Sequence, residues 1–233
     1  MVILLSNAPR PASAVAEQLA KIGVAESAWD TIISSGDATR AMLTSMDGPA
    51  FHLGPDRDLP LYEGLSVSLV DKMPAHCVVC TGLFDDETET PADYLPLLHR
   101  FLATRAPMIC ANPDLTVERG GRVIYCAGAI AAEYEKLGGS VTYCGKPHKP
   151  IYDMALSWLV EHLGRAVPCS DVLAIGDGVK TDIAGAVNLG IPSVYIASAV
   201  HMPKGATLDQ TTLSDLFPDA DRRPQAAMTH LAW

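Results

Sequence analysis

The sequence predicts an α/β protein built on parallel strands. Short apolar runs of strand length alternate with segments whose apolar residues recur at helical spacing. Glycine and proline punctuate the junctions. The 233 residues, 48% hydrophobic and 19% charged, can fill the core of one large domain or two modest ones. That apolar content, with ordinary glycine and proline usage, excludes collagen-like, coiled-coil and disordered classes.

VILLS (2–6) is a strand followed by a polar turn with two prolines, and ASAVAEQLAKI (12–22) is a helix with Gly23 as its C-cap. DTIISSG (30–36) is a second strand, and ATRAML (38–43) begins the next helix. Residues 44–75 are rich in Gly, Pro and Asp and read as entry into a second unit. Further strands are expected in LSVSLVDKM (65–73), AHCVVCTGLF (75–84) and APMICANPD (106–114), with an amphipathic helix in ADYLPLLHRFLATR (92–105). RVIYCAG and AIAAEYEKLGG repeat strand then helix, as do VTYCGKP and PIYDMALSWLVEHLG. VLAIGDG leads into the helix TDIAGAVNLG, and IPSVYIAS is the last strand. The polar tail, 206–233, is expected to lie on the surface.

Lys and Arg number 17 against 27 Asp and Glu, a net charge of −10. A nucleic-acid or anionic membrane surface is therefore not expected, because phosphate backbones demand a basic footprint. An acidic protein can still receive one phosphate in a focused pocket. The amino terminus has no basic segment ahead of its short apolar run, and no stretch reaches the ~18 apolar residues of a membrane span. The expected location is cytoplasmic. Four of the six cysteines end or interrupt apolar runs, which suits buried thiols in a reducing compartment. Cys77 and Cys80 form a lone C-x-x-C with no second Cys/His pair at ligand spacing, so the pair reads as part of a buried strand.

In open parallel sheets, ligands gather beyond the carboxyl ends of strands. Three such ends here carry chemistry. Ser6 and Asn7 offer a hydroxyl and an amide before a helix start, although both are also ordinary turn formers. Gly145-Lys146-Pro147 holds one lysine at a strand edge, where it is either a solvated side chain or a point charge for a phosphate oxygen. Gly176-Asp177-Gly178 runs on to Asp182 at the start of a helix, and two carboxylates so spaced suit one hard cation. Together they describe a receptor for a phosphate monoester with Mg²⁺.

The ordered set LLSNAP, CGKPHKPIYDMAL and VLAIGDGVKTDIAGA resembles the haloacid dehalogenase (HAD) superfamily, and within it the subclass IIA branch of p-nitrophenylphosphatase- and pyridoxal-phosphatase-like enzymes. The resemblance implies a Rossmann-like parallel-sheet core with an inserted α/β cap domain. Residues 1–43 and 144–233 would form the core and 44–143 the cap. It implies that Ser6 binds the transferring phosphoryl with Asn7 beside it. Lys146 would stabilise the phosphoryl charge, and Asp177 and Asp182 would bind Mg²⁺. Asn112 and Asp114 in CANPD, and more weakly Arg10, would face the substrate, a small phosphorylated metabolite. A homodimer is compatible with the resemblance. One departure is large. The family's first motif, a strand ending in D-x-D that supplies nucleophile and general acid/base, has no counterpart ahead of Ser6. Asp85-Asp86-Glu87 falls in the cap and is not expected to replace it. The chain is accordingly expected to be a truncated reading of a longer protein, lacking its central strand, inactive as it stands and low in stability. The competing reading is a non-catalytic phosphate-binding or regulatory relative.

Overall fold

The computed structural model describes residues 1–197, 202 and 207–231. They divide into two compact units, Met1–Ala155 and Leu156–Trp233.

In the first unit, β1 (Ile3–Ser6), α1 (Ala12–Lys21) and β2 (Thr31–Ser34) form a β-α-β unit. The strands are parallel, with Ile3 opposite Thr31 and Ser6 opposite Ser34. β2 stops two residues earlier than expected because Ser34 is spent on a cap. Its Oγ accepts from the Asp37 N–H and the Asp37 carboxylate accepts from the Ser34 N–H, both at 2.9 Å. Ser35 and Gly36 thus open α2 (Ser35–Thr44) instead of closing the strand.

A five-stranded, all-parallel sheet follows. β3 (Ala50–Leu53) lies inside the stretch that the sequence presents only as a punctuated junction. β4 (Leu69–Val70) retains two residues of the longer run expected there, and β5 (Cys77–Cys80) is fully buried. α3 (Leu95–Ala103) leads to β6 (Met108–Cys110). β7 (Thr116–Arg119) and β8 (Arg122–Tyr125) then form a separate antiparallel hairpin. Its turn is Gly120-Gly121, both at positive φ, which only glycine adopts cheaply in succession. RVIYCAG is therefore a hairpin arm and not another parallel strand. α4 (Ala127–Lys136) and β9 (Val141–Tyr143) complete the sheet in the order β4-β3-β5-β6-β9.

Each face of this sheet has its own core. Phe51, Leu53, Cys80, Leu98, Phe101, Cys110 and Tyr134 pack on one side. Ala50, Leu43, Leu61, Cys77, Val79 and Ile109 pack on the other. Cys77 and Cys80, three apart on a period-2 strand, therefore point to opposite faces and cannot share a metal. All six cysteines are free, five of them buried. Burial pushes the Cys77 and Cys144 thiols up to about 11, which leaves them inert as nucleophiles.

α5 (Lys149–Leu163) is followed by the second unit's parallel sheet. There β10 (Ala174–Gly176), the π-helical turn Val179–Ile183, α6 (Ala184–Leu189) and β11 (Ser193–Ile196) succeed one another. α7 (Gln210–Leu216) leads to β12 (Ala226–Met228). The tail expected to be a surface segment thus contributes a strand: Val194 pairs with Ala226 and Ile196 with Met228. Residues 206, 232 and 233 of that tail lie outside the described residues. Ile183, Tyr195 and Phe217 are its buried centre. Among the described residues, no helix is long and apolar enough to cross a membrane.

Among the described residues, β1 is bonded only to β2, and β10 only to β11. Apolar side chains stand exposed at these free edges: Val2 at 50%, Leu173 at 56% and Ile175 at 46%. Open apolar strand edges promote association between chains. Ile175→Thr keeps a β-branched strand former and is expected to change stability by no more than about 0.5 kcal/mol. Light scattering of a concentrated sample should fall relative to the parent; unchanged scattering would mean that this edge does not drive association.

Candidate functional site

The carboxyl end of β1 and the carboxyl end of β9 are tied together by one side chain. Asn7, only 8% exposed, uses its whole amide. Its Oδ1 accepts from the Lys146 N–H at 2.7 Å. Its Nδ2 donates to the Lys146 carbonyl at 3.0 Å and to Asp114 Oδ1 at 2.9 Å. Asn112 closes the neighbouring turn: its Oδ1 accepts from the Asp114 N–H at 3.1 Å. Ser6, one residue before Asn7, accepts from the Ala8 N–H at 3.2 Å and so shapes the turn that follows β1. The sequence-predicted Ser6, Asn7, Asn112, Asp114 and Lys146 are all brought into this one neighbourhood of the first unit.

Close backbone approach makes the cluster possible. A Cβ at Gly145 would lie 2.5 Å from Asn7 Oδ1, 2.8 Å from Pro113 Cδ and 2.9 Å from Ser35 Oγ. At Gly36 it would meet the Arg10 backbone at 2.5 Å, and at Gly128 the Pro113 carbonyl at 2.2 Å. Each glycine therefore lets one loop of the cluster sit against a helix or strand end. The Ser35 hydroxyl is buried here and makes no hydrogen bond. The peptide between Lys146 and Pro147 is cis, which turns the chain sharply after the lysine.

Beyond the lysine, His148 stacks on Tyr143 with ring centroids 4.5 Å apart and planes 13° from parallel. Tyr143 in turn donates to Glu135 Oε2 of α4 at 2.7 Å. Burial lowers the His148 pKa, favouring the neutral ring against the opposing pull of Glu135. This stack braces the Lys146 loop from the far side. Arg10 donates to Gln18 at 3.2 Å on the surface, and its backbone packs on Gly36.

In the second unit, Asp177 follows β10 directly and Asp182 lies in the π-helical turn, one loop carrying both acids as expected. Asp182 Oδ2 accepts from the Gly178 N–H at 2.9 Å. A Cβ at Gly176 would lie 2.4 Å from the Asp182 side chain, so only glycine there allows the carboxylate to fold back over the loop. Oxygen donors of this kind suit a hard divalent cation.

Asp85, Asp86 and Glu87 are otherwise engaged. Asp86 pairs with Arg57 and Arg119, and Glu87 with Arg119 and Arg122. Burial alone would raise the Asp86 pKa, but the two guanidiniums hold it below the ordinary carboxylate range. The acids serve to dock the β7–β8 hairpin. Sequence reasoning missed Ser35, Thr81 and Asp58, all buried polar side chains near strand ends. The dipeptides SS and TG, each just past a strand, were the available signals.

The fold defines a parallel α/β protein in which Ser6, Lys146 and Asp177 stand at or just past the carboxyl ends of strands. Comparison with known proteins is specific. A family model described as HAD-hydrolase-like matches residues 143–222, which include Lys146, Asp177 and Asp182. A hydrolase of the haloacid dehalogenase-like family from Brucella suis 1330 is 48% identical, with a TM-score of 0.81 over 86% of this chain and 77% of that one. The chain belongs to the haloacid dehalogenase-like family. The p-nitrophenyl phosphatase from Archaeoglobus fulgidus shares the fold at a TM-score of 0.70 and 20% identity, covering 98% of this chain and 83% of that one. NagD from E. coli K-12 does so at 0.67 and 23% identity, with coverages of 98% and 82%. An acid sugar phosphatase of Staphylococcus haemolyticus is 31% identical over 125 residues, 52% of this chain but only 43% of that protein.

Gly145→Ala tests the packing of the cluster. The added methyl meets an oxygen already fixed by its bond to Lys146, so it cannot be accommodated by a simple rotation. Overpacking of this kind costs about 1–3 kcal/mol. Calorimetry should register a lower melting temperature, whereas Gly138→Ala, with open space around it, should show only the cost of its positive φ.

Proposed function

We propose that the chain is the scaffold of a Mg²⁺-dependent phosphate-monoester hydrolase acting on a small phosphorylated metabolite. The observation that carries this reading is the Asn7 tie, which sets the Ser6 turn and the Lys146 loop side by side across 139 positions of sequence. In that reading Ser6 donates its hydroxyl to a phosphoryl oxygen and Lys146 neutralises charge on the others. Asn7 acts by position, since both of its amide hydrogens are already given to Lys146 and Asp114.

Asp177 and Asp182 would hold Mg²⁺, whose usual protein ligands are one or two carboxylates completed by water and phosphate. The donor set fits: both acids stand on one loop, and the Asp182 carboxylate folds back over it to the Gly178 N–H. The ion would supply charge neutralisation at the phosphoryl oxygens. The segment 44–143, with the five-stranded sheet inside it, takes the part of the inserted cap. The nucleophile and general acid/base implied by the family have no counterpart in the three strand ends described. Residues 1–233 alone are therefore expected to bind phosphate and to hydrolyse its esters at no more than background rates.

The test is titration calorimetry with inorganic phosphate, beside a p-nitrophenyl phosphate assay. Phosphate should bind more tightly with Mg²⁺ present. Lys146→Met and Asp177→Asn should each weaken binding about tenfold or more, the scale of one lost charge-assisted contact. Absence of phosphate binding at millimolar Mg²⁺ would overturn the reading. Mg²⁺-dependent turnover by residues 1–233 would overturn the expected inactivity alone.

A further inference from the structure

Asp182, one of the two acids proposed to hold the cation, covers one face of the second unit's sheet. β10 and β11 are parallel neighbours, with Ala174 opposite Ser193 and Gly176 opposite Tyr195. Residues that share a rung point to the same face. The space over Gly176 is filled by the Asp182 side chain, since a Cβ there would lie 2.4 Å from it. The Tyr195 side chain leaves the next strand on that same face, one strand spacing, about 5 Å, away. Its ring thus supports the loop that carries Asp177 and Asp182.

Packing fixes the ring there. Ile183 of the π-helical turn and Phe217 are buried with it, and Val179 packs against the group. Phe217 meets the ring edge to face, with centroids 5.3 Å apart and planes 79° from parallel. Tyr195 is 0% exposed, yet its hydroxyl makes no hydrogen bond. Burial raises its pKa and the Asp177 carboxylate raises it further, so the oxygen keeps its proton within the field of that acid. A buried hydroxyl without a partner costs stability, and phenylalanine would fill the same core without that cost. Ser193 is a second buried hydroxyl without a bond. It lies two residues back along β11, about 7 Å further from the acid loop.

We propose that Tyr195 is a positioning residue of the cation site, its hydroxyl donating to the Asp177 carboxylate when that acid holds a divalent ion. The inference rests on the cation role given to Asp177 and Asp182 above. Carboxylates that ligate a metal are themselves held by hydrogen bonds from surrounding donors, which set their orientation and basicity. A phenol suits this task. It is neutral, its aromatic body is at home in the core, and its O–H can address an acid from below the loop. Tyr195 acts through Asp177 and touches neither the ion nor the substrate.

The test titrates the full chain with Mn²⁺ alone, a hard divalent ion suited to carboxylates whose unbound fraction is counted by its paramagnetic resonance signal. The parent should bind the ion. Tyr195→Phe should weaken binding about tenfold, the scale of losing one donor behind a metal ligand. Its melting temperature in ion-free buffer should equal or exceed the parent's, because an unpaired hydroxyl is removed and the ring is kept. Ser193→Ala removes the other unpaired hydroxyl and should leave the affinity within about twofold. Three results overturn the proposal while the acids stand as ligands. Tyr195→Phe binds Mn²⁺ as tightly as the parent; or Ser193→Ala weakens binding as much as Tyr195→Phe; or Tyr195→Phe melts lower without ion, which would mean that the fold itself uses the hydroxyl. If the parent binds no Mn²⁺ at millimolar concentration, the cation reading fails and takes this inference with it.

Discussion

The carboxamide of Asn7 is the tie on which the arrangement at the strand ends depends. It holds both peptide groups of Lys146 and reaches Asp114, which comes from a third loop. An amide is the side chain suited to this position. It offers an acceptor and two donors in one plane, and being neutral it can be buried for far less than a carboxylate or ammonium. An aspartate there would lose the donors and face Asp114 with like charge. The contacts bridge 107 and 139 positions of sequence, so they also fix loops that nothing local would hold.

Around that tie the sheet decides what each side chain can do. Because its strands are parallel, every carboxyl end lies along the same edge, and Gly54, Thr81, Ala111 and Cys144 follow one another across it. The faces are filled by helices and apolar residues, and the thiols lie there, raised by burial and unreactive. Polar chemistry is confined to the edge because only there can side chains leave the core without leaving backbone groups unpaired. The two glycines at 36 and 145 draw the β1 turn and the lysine loop against that edge.

What the sequence made legible follows from the same physics. The alternation of strand and helix, the buried cysteine runs and the helical phase of 12–22 depend on periodicity, which a single chain displays directly. β3 was not legible because AFHL is four residues bracketed by Gly-Pro on both sides, so turn signals outweighed a short apolar run. β12 has no apolar alternation of its own; AAM is a strand because β11 offers it a ladder and Gln225 Oε1 takes the Ser193 N–H ahead of it. β8 looked like the strands before it, and only the paired glycines at 120 and 121 pointed to a hairpin. Ser6, Lys146 and Asp177 could be picked out because each stands where an apolar run ends, and Asp182 because it opens the helix that follows. That Asp58 and Thr81 are buried polar residues could not be read, since burial and strand order are not displayed by one sequence.

The contrast between Asp86 and Asp58 shows how differently this chain treats its acids. Asp86 is met by two guanidiniums and sits below the ordinary carboxylate range, an acid fixed as a structural anchor for the hairpin. Asp58 is more deeply buried, yet its burial outweighs the pull of a hydroxyl and two more distant arginines. Asp58 instead rests against the Thr81 hydroxyl, a buried carboxyl–hydroxyl contact where Asp86 has ion pairs.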